Sequence, residues 1–169
     1  YPKGTLACHV LGFAGLDNQG LSGLELYYDK ELTGTPGKLL LEVDSAQNNI
    51  PQSQQEFIPA VEGYSVNLTI DETVQYITER ELEKVYNEQQ AEGATAIVMN
   101  VKTGAVLAMA NYPNFDPNNY GDVEDTVWNN FAVNGTYEPG STFKMISSSM
   151  FLEEGVTAAT DHYYCAGSM

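Results

Sequence analysis

The sequence predicts an α+β chain in two parts: a glycine-rich mixed lobe over 1–60, then a more regular helix-and-hairpin region over 61–169. Three observations carry that prediction. Gly12, Gly15, Gly20, Gly23, Gly34 and Gly37 punctuate the first part, which has few long periodic stretches. Val74, Ile77, Leu82, Val85 and Tyr86 recur at helical spacing behind an N-cap signal at Asp71. Two apolar runs, 94–101 and 105–112, flank Lys102-Thr103-Gly104 and read as a β-hairpin.

In chain order, Asp17-Asn18-Gln19-Gly20 reads as a turn. Leu21–Leu32 reads as a short helix stopped by Thr33-Gly34-Thr35-Pro36-Gly37. Lys38–Asp44 is a strand candidate, and the Gln/Asn-rich stretch Ser45–Glu56 is a hairpin loop or connection. Tyr64–Ile70 alternates as a strand would, with Val66, Leu68 and Ile70 on one face. Thr69-Ile70-Asp71-Glu72 fits a capping box, with Asp71 a competing N-cap, so a helix is expected from Glu72 to Gln90, ended by Gly93. Pro113 stops the return strand, and Asn114–Asn130 reads as loop. A last helix is expected from near Ser141 to about Glu154, capped by Gly155.

Composition excludes several function classes. The 169 residues hold 23 Asp plus Glu against 7 Lys plus Arg, for a net charge of −16. Arg80 is the only arginine. A nucleic-acid binder that neutralises phosphates needs clustered Arg and Lys, and so does a face that docks on anionic lipid. The longest uninterrupted apolar run, Ala105–Ala110, is far short of the roughly 20 residues of a membrane-spanning helix. Tyr1-Pro2-Lys3-Gly4 is no signal peptide, and the chain is expected to continue a longer one. Cys8 and Cys165 are too few for a disulfide framework.

Chemistry concentrates at Tyr137-Glu138-Pro139-Gly140-Ser141-Thr142-Phe143-Lys144. This segment puts Ser141 at the first turn of a helix and Lys144 three residues on, on the same face. A serine hydroxyl is a poor nucleophile until a base takes its proton. A lysine kept neutral by desolvation can be that base. The helix N-terminus adds a field and free N–H groups that favour an oxyanion. A bare Ser-x-x-Lys is common by chance; the octapeptide is far more specific.

Tyr-Glu-Pro-Gly-Ser-Thr-Phe-Lys resembles the active-serine motif of class B penicillin-binding proteins, the D,D-transpeptidases that cross-link peptidoglycan. Other segments agree in order. Residues 1–13 (Tyr-Pro-Lys-Gly-Thr-Leu-Ala-Cys-His-Val-Leu-Gly-Phe) and Gly20-Leu21-Ser22-Gly23-Leu24-Glu25 resemble the end of the family's dimerisation domain. Leu68-Thr69-Ile70-Asp71, Ala96–Asn100, Gly104–Ala110 and Tyr112–Asn118 resemble the opening of its transpeptidase domain. The resemblance implies that 1–60 is the C-terminal part of a dimerisation domain. It implies that 61–169 opens a serine penicillin-recognising, β-lactamase/transpeptidase-like domain, and that the chain ends inside it. The family's downstream S-x-N and K-[ST]-G motifs are not found after Ser141. Lys102-Thr103-Gly104 precedes the serine and reads as a turn, not as that motif. Cys8 stands where the family usually has Ser, and Asn129 where it commonly has Arg.

The resemblance further implies that Ser141 attacks the D-Ala-D-Ala carbonyl of a stem peptide, with Lys144 as base and no cofactor required. β-Lactams would be trapped as acyl-enzymes. Expected partners are peptidoglycan stem peptides, β-lactams and other cell-wall synthesis proteins. The expected location is the extracytoplasmic face of the cell membrane, with an anchor upstream of this segment. A non-catalytic cell-wall scaffold with the same fold is the rival reading, and the Ser141–Lys144 pair argues against it.

Asp161-His162-Tyr163-Tyr164-Cys165 offers a second constellation. Asp161, His162 and Cys165 are zinc-competent ligand types, and His-x-x-Cys spacing lets two of them share an ion. The family often shows the Asp and Cys without the His. A structural zinc held by two of the three with downstream residues, a packed loop, and a Cys165–Cys8 disulfide are the three readings of this segment.

Overall fold

The computed structural model describes residues 1–40, 56–162, 164, 165 and 167. They form two compact units, Tyr1–Gly135 and Thr136–Met169.

In the first unit a short helix α1 (Cys8–Leu11) turns into α2 (Gly23–Tyr27) and α3 (Asp29–Leu32). The helix expected over Leu21–Leu32 is therefore two short ones, broken at Tyr28. Gly12 and Gly23 explain how α1 meets α2. Both have positive φ, 75° and 59°. A side chain on either would run into backbone of the other segment.

Strand β1 (Lys38–Leu40) pairs antiparallel with β2 (Glu56–Ile58), Leu39 opposite Phe57. The rest of the expected Lys38–Asp44 strand and the Ser45–Gln55 connection lie outside the described residues. Residues 64–70 are not a strand. Their groups bond singly: Tyr64 N–H to Glu31 O at 2.7 Å and Thr69 Oγ1 to Val106 O at 2.7 Å. Alternation makes a strand only where a neighbour lies in register, and none of the described residues provides one.

Helix α4 (Glu72–Gln89) begins on Asp71, whose Oδ1 accepts from Val74 N at 2.9 Å. Asp71 is thus the N-cap, and Thr69 makes no capping box. The helix ends on Gln90, which adopts the left-handed conformation itself, three residues before the expected stop at Gly93. Removing the cap in Asp71→Ala should lower stability by about 1 kcal/mol, read by chemical denaturation.

The inward face of α4 also differs from the apolar stripe. Leu82 and Tyr86 are half-buried as expected, but Ile77 and Val85 are 45% and 52% exposed. Gln75, at 0% exposure, is the residue that α4 buries. Its amide behaves like a strand residue: Nε2 donates to Met109 O and Oε1 accepts from Met109 N, both at 2.8 Å. Nε2 also reaches Glu79 Oε1 at 2.6 Å, and that oxygen accepts Ala7 N at 2.8 Å. Met109 lies on β4 (Val106–Tyr112), paired antiparallel with β3 (Ala94–Met99). The Gln75–Glu79 pair therefore ties α4, the hairpin and the first residues of the chain together. Burial raises the Glu79 carboxyl above its usual range, against the two hydrogen bonds that it accepts.

The core of this unit is aromatic. Cys8, Phe13 and Phe115 are buried, with Tyr1, Tyr120, Val123, Val127 and Trp128 packed on them. Phe13 stacks on Tyr120 at 4.2 Å and meets Trp128 edge-on at 5.0 Å. Trp128 Nε1 donates to Tyr120 O at 3.0 Å, so the indole is packed without an orphan donor. Burying Phe13 contributes about 2 kcal/mol of hydrophobic stabilisation. The stretch 114–130, expected as loop, is folded around this core into two 3-10 turns, Pro117–Asp122 and Asp125–Trp128. Helix α5 (Phe131–Asn134) follows.

The second unit carries α6 (Phe143–Glu153), entered through a 3-10 turn at Gly140–Thr142. Its end matches the expectation. Gly155, φ 65°, donates to Leu152 O, and Val156 donates to Phe151 O, which satisfies the last carbonyls. Phe143, Ile146 and Met150 stand more than half exposed.

Candidate active site

Ser141 lies in the 3-10 turn Gly140–Thr142, and Lys144 lies in the first turn of α6. Thr142 and Phe143 are both right-handed helical, so the turn passes into α6 without a break after the serine. Gly140 has φ 52°, a conformation that suits glycine and lets the chain bend sharply just before the serine. Three residues apart on that run, Ser141 and Lys144 share a face. Both are exposed, and among the described residues neither side chain is hydrogen-bonded or ion-paired. Thr142, Ser147 and Ser149, three of the hydroxyls near it in sequence, are engaged with backbone. Thr142 Oγ1 donates to Pro139 O, Ser147 Oγ to Phe143 O and Lys144 O, and Ser149 Oγ to Met145 O at 2.7 Å. Among the described residues Ser141 is an uncommitted hydroxyl, and it stands at the mouth of an eleven-residue helix.

Lys102-Thr103-Gly104 forms the hairpin turn. Asn100 Oδ1 accepts from Lys102 N and Thr103 N, Gly104 N donates to Asn100 O, and Gly104 has φ 75°. A stretch built as a turn between β3 and β4 has no strand geometry to offer a substrate.

The pentapeptide 161–165 takes on a turn role at its first residue. Asp161 Oδ2 accepts from Ala158 N at 2.8 Å and from Thr157 Oγ1 at 3.1 Å. His162 and Cys165 are exposed. Among the described residues no three His, Cys, Asp or Glu side chains are grouped to hold a metal ion. With Asp161 spent on its own turn, this segment offers two ligands where a structural zinc takes four. Cys8 and Cys165 are both free thiols. Cys8 is buried, and burial pushes its thiol up to about 11.

One cluster has no counterpart in the sequence reading. His9 is buried; its Nε2 lies 2.9 Å from Val127 O and its Nδ1 3.3 Å from Cys8 Sγ. The donor at Nε2 and the acceptor at Nδ1 suit a neutral imidazole. Burial also lowers the His9 pKa, against the opposing effect of Val127 O. Asn111, 4% exposed on β4, and Asn130, just before α5, join the same cluster through their side-chain amides. Two amide residues flanking an apolar hairpin and a short helix were the only hint in the sequence.

Comparison with known proteins places these features in context. The penicillin-binding protein dimerisation domain matches residues 1–68, and the penicillin-binding protein transpeptidase domain matches residues 94–168. Stage V sporulation protein D of Bacillus subtilis is 43% identical over 169 residues, covering 99% of this chain and 26% of that protein. The peptidoglycan D,D-transpeptidase FtsI of Escherichia coli K12 is 35% identical over 156 residues, 92% of this chain and 26% of its own length. The crystal structure of penicillin-binding protein 3 from Mycobacterium tuberculosis, complexed with aztreonam, superposes with TM-score 0.81 at 34% identity. It is covered to 34% by this chain, which is covered completely. The chain spans about a quarter of the length of the curated relatives that it matches.

Proposed function

The chain belongs to the class B penicillin-binding proteins, and on that premise we propose that it carries the nucleophile of a serine D,D-transpeptidase that cross-links peptidoglycan stem peptides. The observation that carries the reading is the uncommitted Ser141 hydroxyl at the start of α6, on one face with Lys144. It lies within the stretch that matches the transpeptidase domain.

Ser141 Oγ attacks the carbonyl carbon between the two terminal D-alanines while Lys144 Nζ takes its proton. The carbonyl oxygen becomes an oxyanion, to which the Ser141 main-chain N–H donates. As the tetrahedral species collapses, the C–N bond breaks. Lysine returns the proton to the leaving D-alanine nitrogen, and an ester to Ser141 remains. An amine from a neighbouring strand then attacks that ester, losing a proton to Lys144, and Ser141 regains its hydroxyl. A β-lactam follows the first half and stalls, because its leaving amine stays tethered. The chemistry needs a dry lysine, and Lys144 is exposed among the described residues. Its desolvation therefore falls to whatever covers α6 in the assembled enzyme.

The family also supports an extracytoplasmic, membrane-tethered setting among other cell-wall synthesis proteins. Among the described residues no helix is long and apolar enough to cross a membrane, so the tether is sought elsewhere. A structural zinc at His162 and Cys165 would need further ligands, and it supplies no step of this chemistry.

The test is a fluorescent penicillin on the full-length protein. A covalent label that survives denaturation, and that an unlabelled β-lactam competes away, is expected. A folded full-length protein that takes no label would set the reading aside.

A further inference from the structure

We infer that Glu79 is a pH-sensitive latch, which holds residues 1–13 against α4 and the hairpin more firmly when its carboxyl is neutral than when it is charged. One oxygen does the holding. Glu79 Oε1 accepts Ala7 N–H at 2.8 Å and Gln75 Nε2 at 2.6 Å. Gln75 in turn is bonded to both backbone groups of Met109 on β4. Three segments therefore meet on a single carboxyl. Ala7 comes from the stretch that matches the dimerisation domain, and Met109 from the stretch that matches the transpeptidase domain.

Ala7 is the part that needs holding. It has φ 56°, a left-handed conformation that alanine seldom adopts. It also opens α1, a four-residue helix with no side-chain cap, too short to repay its own nucleation. The bond from Ala7 N–H to Glu79 anchors that turn from outside. The surroundings of the anchor penalise its charge. Among the described residues no ion pair includes Glu79: Lys3 pairs with Glu72, Arg80 with Glu81 and Lys84 with Glu88. The titratable groups around it are acids, Cys8 beside Ala7, Tyr112 on β4 and Glu83 one turn along α4. Burial, and in part the Glu79 charge, push Cys8 up to about 11 and Tyr112 up to about 12, and Glu83 adds to the effect on Tyr112.

A neutral Glu79 carboxyl keeps Oε1 as acceptor for both donors and sets no buried charge beside them. A charged one gains by reaching water, which it does when residues 1–13 lift away. Burial raises the Glu79 pKa above the ordinary glutamate value. The stability that such a group contributes is present in acid and is lost as pH rises through the raised folded value. His9 works in the opposite sense. Burial lowers its pKa, so its contribution is lost as pH falls.

Native-state hydrogen exchange of the full-length protein, read by mass spectrometry on peptides from residues 1–13, tests the latch from about pH 4 to about pH 8. Rates are corrected for the intrinsic pH dependence of exchange. Glu79→Gln stays neutral throughout and keeps the Oε1 acceptor. The ratio of wild-type to Glu79→Gln protection cancels the His9 contribution, which both share. That ratio is expected to fall about threefold or more as pH rises. Glu83→Gln, which removes an exposed charge one turn away, should leave the fall in place. Should Glu79→Gln not fold, His9→Gln decides. Its amide can still donate to Val127 O, the opposing group is gone, and its protection should fall with rising pH. A ratio that stays constant or rises with pH would overturn the inference, as would a His9→Gln protein whose protection does not fall.

Discussion

Ser141→Ala is expected to leave the full-length protein folded and wholly without covalent β-lactam. Among the described residues the Ser141 hydroxyl bonds to nothing, so its removal breaks no structural contact. Three nearby hydroxyls are already engaged. Thr142 Oγ1 is held by Pro139 O, and Ser147 and Ser149 bond to helix carbonyls. A loss of label with unchanged circular dichroism and melting temperature is the expected outcome. Label persisting at the wild-type level would mean that another residue is acylated.

Lys144→Met should have the next largest effect. Methionine is unbranched, of similar length and a good helix former, so α6 is retained. Lys144 enters no ion pair among the described residues; those present join Lys3 to Glu72, Arg80 to Glu81 and Lys84 to Glu88. The substitution therefore removes a base and little else. Losing a general base typically slows a reaction by about 10²- to 10⁴-fold, and acylation should fall within that range. A variant that acylates at the wild-type rate would show that some other group accepts the serine proton.

The parts legible in the sequence were those that local chemistry decides. The helix over 72–89 follows from Asp71 and apolar spacing, the hairpin from its two runs and Gly104, and the end of α6 from Gly155. The serine segment was legible because its octapeptide is specific. What escaped was decided by distant partners. Gln75 looks like an exposed helix residue until the Met109 backbone meets both ends of its amide, its carbonyl accepting from Nε2 and its N–H donating to Oε1. A stripe counted from apolar residues alone passes over Gln75 and Glu79. It admits Ile77 and Val85, which face water. His9, Asn111 and Asn130 escaped for the same reason, since their burial depends on bonds that span from 19 to 121 positions. The aromatic core was missed because it joins Phe13 to residues 115–128, a stretch that reads as loop. Tyr64–Ile70 differs the other way: it alternates, but among the described residues no strand lies beside it to complete a ladder.

Peptide mapping by mass spectrometry tests the central claim most directly. The full-length protein is incubated with benzylpenicillin, quenched in acid to preserve the ester, digested and sequenced by fragmentation. One penicilloyl adduct is predicted, on the peptide that contains Tyr137–Lys144, with the fragment series placing it on Ser141. An adduct on any other residue, or an unmodified Ser141 in protein that has bound the drug covalently, would contradict the account.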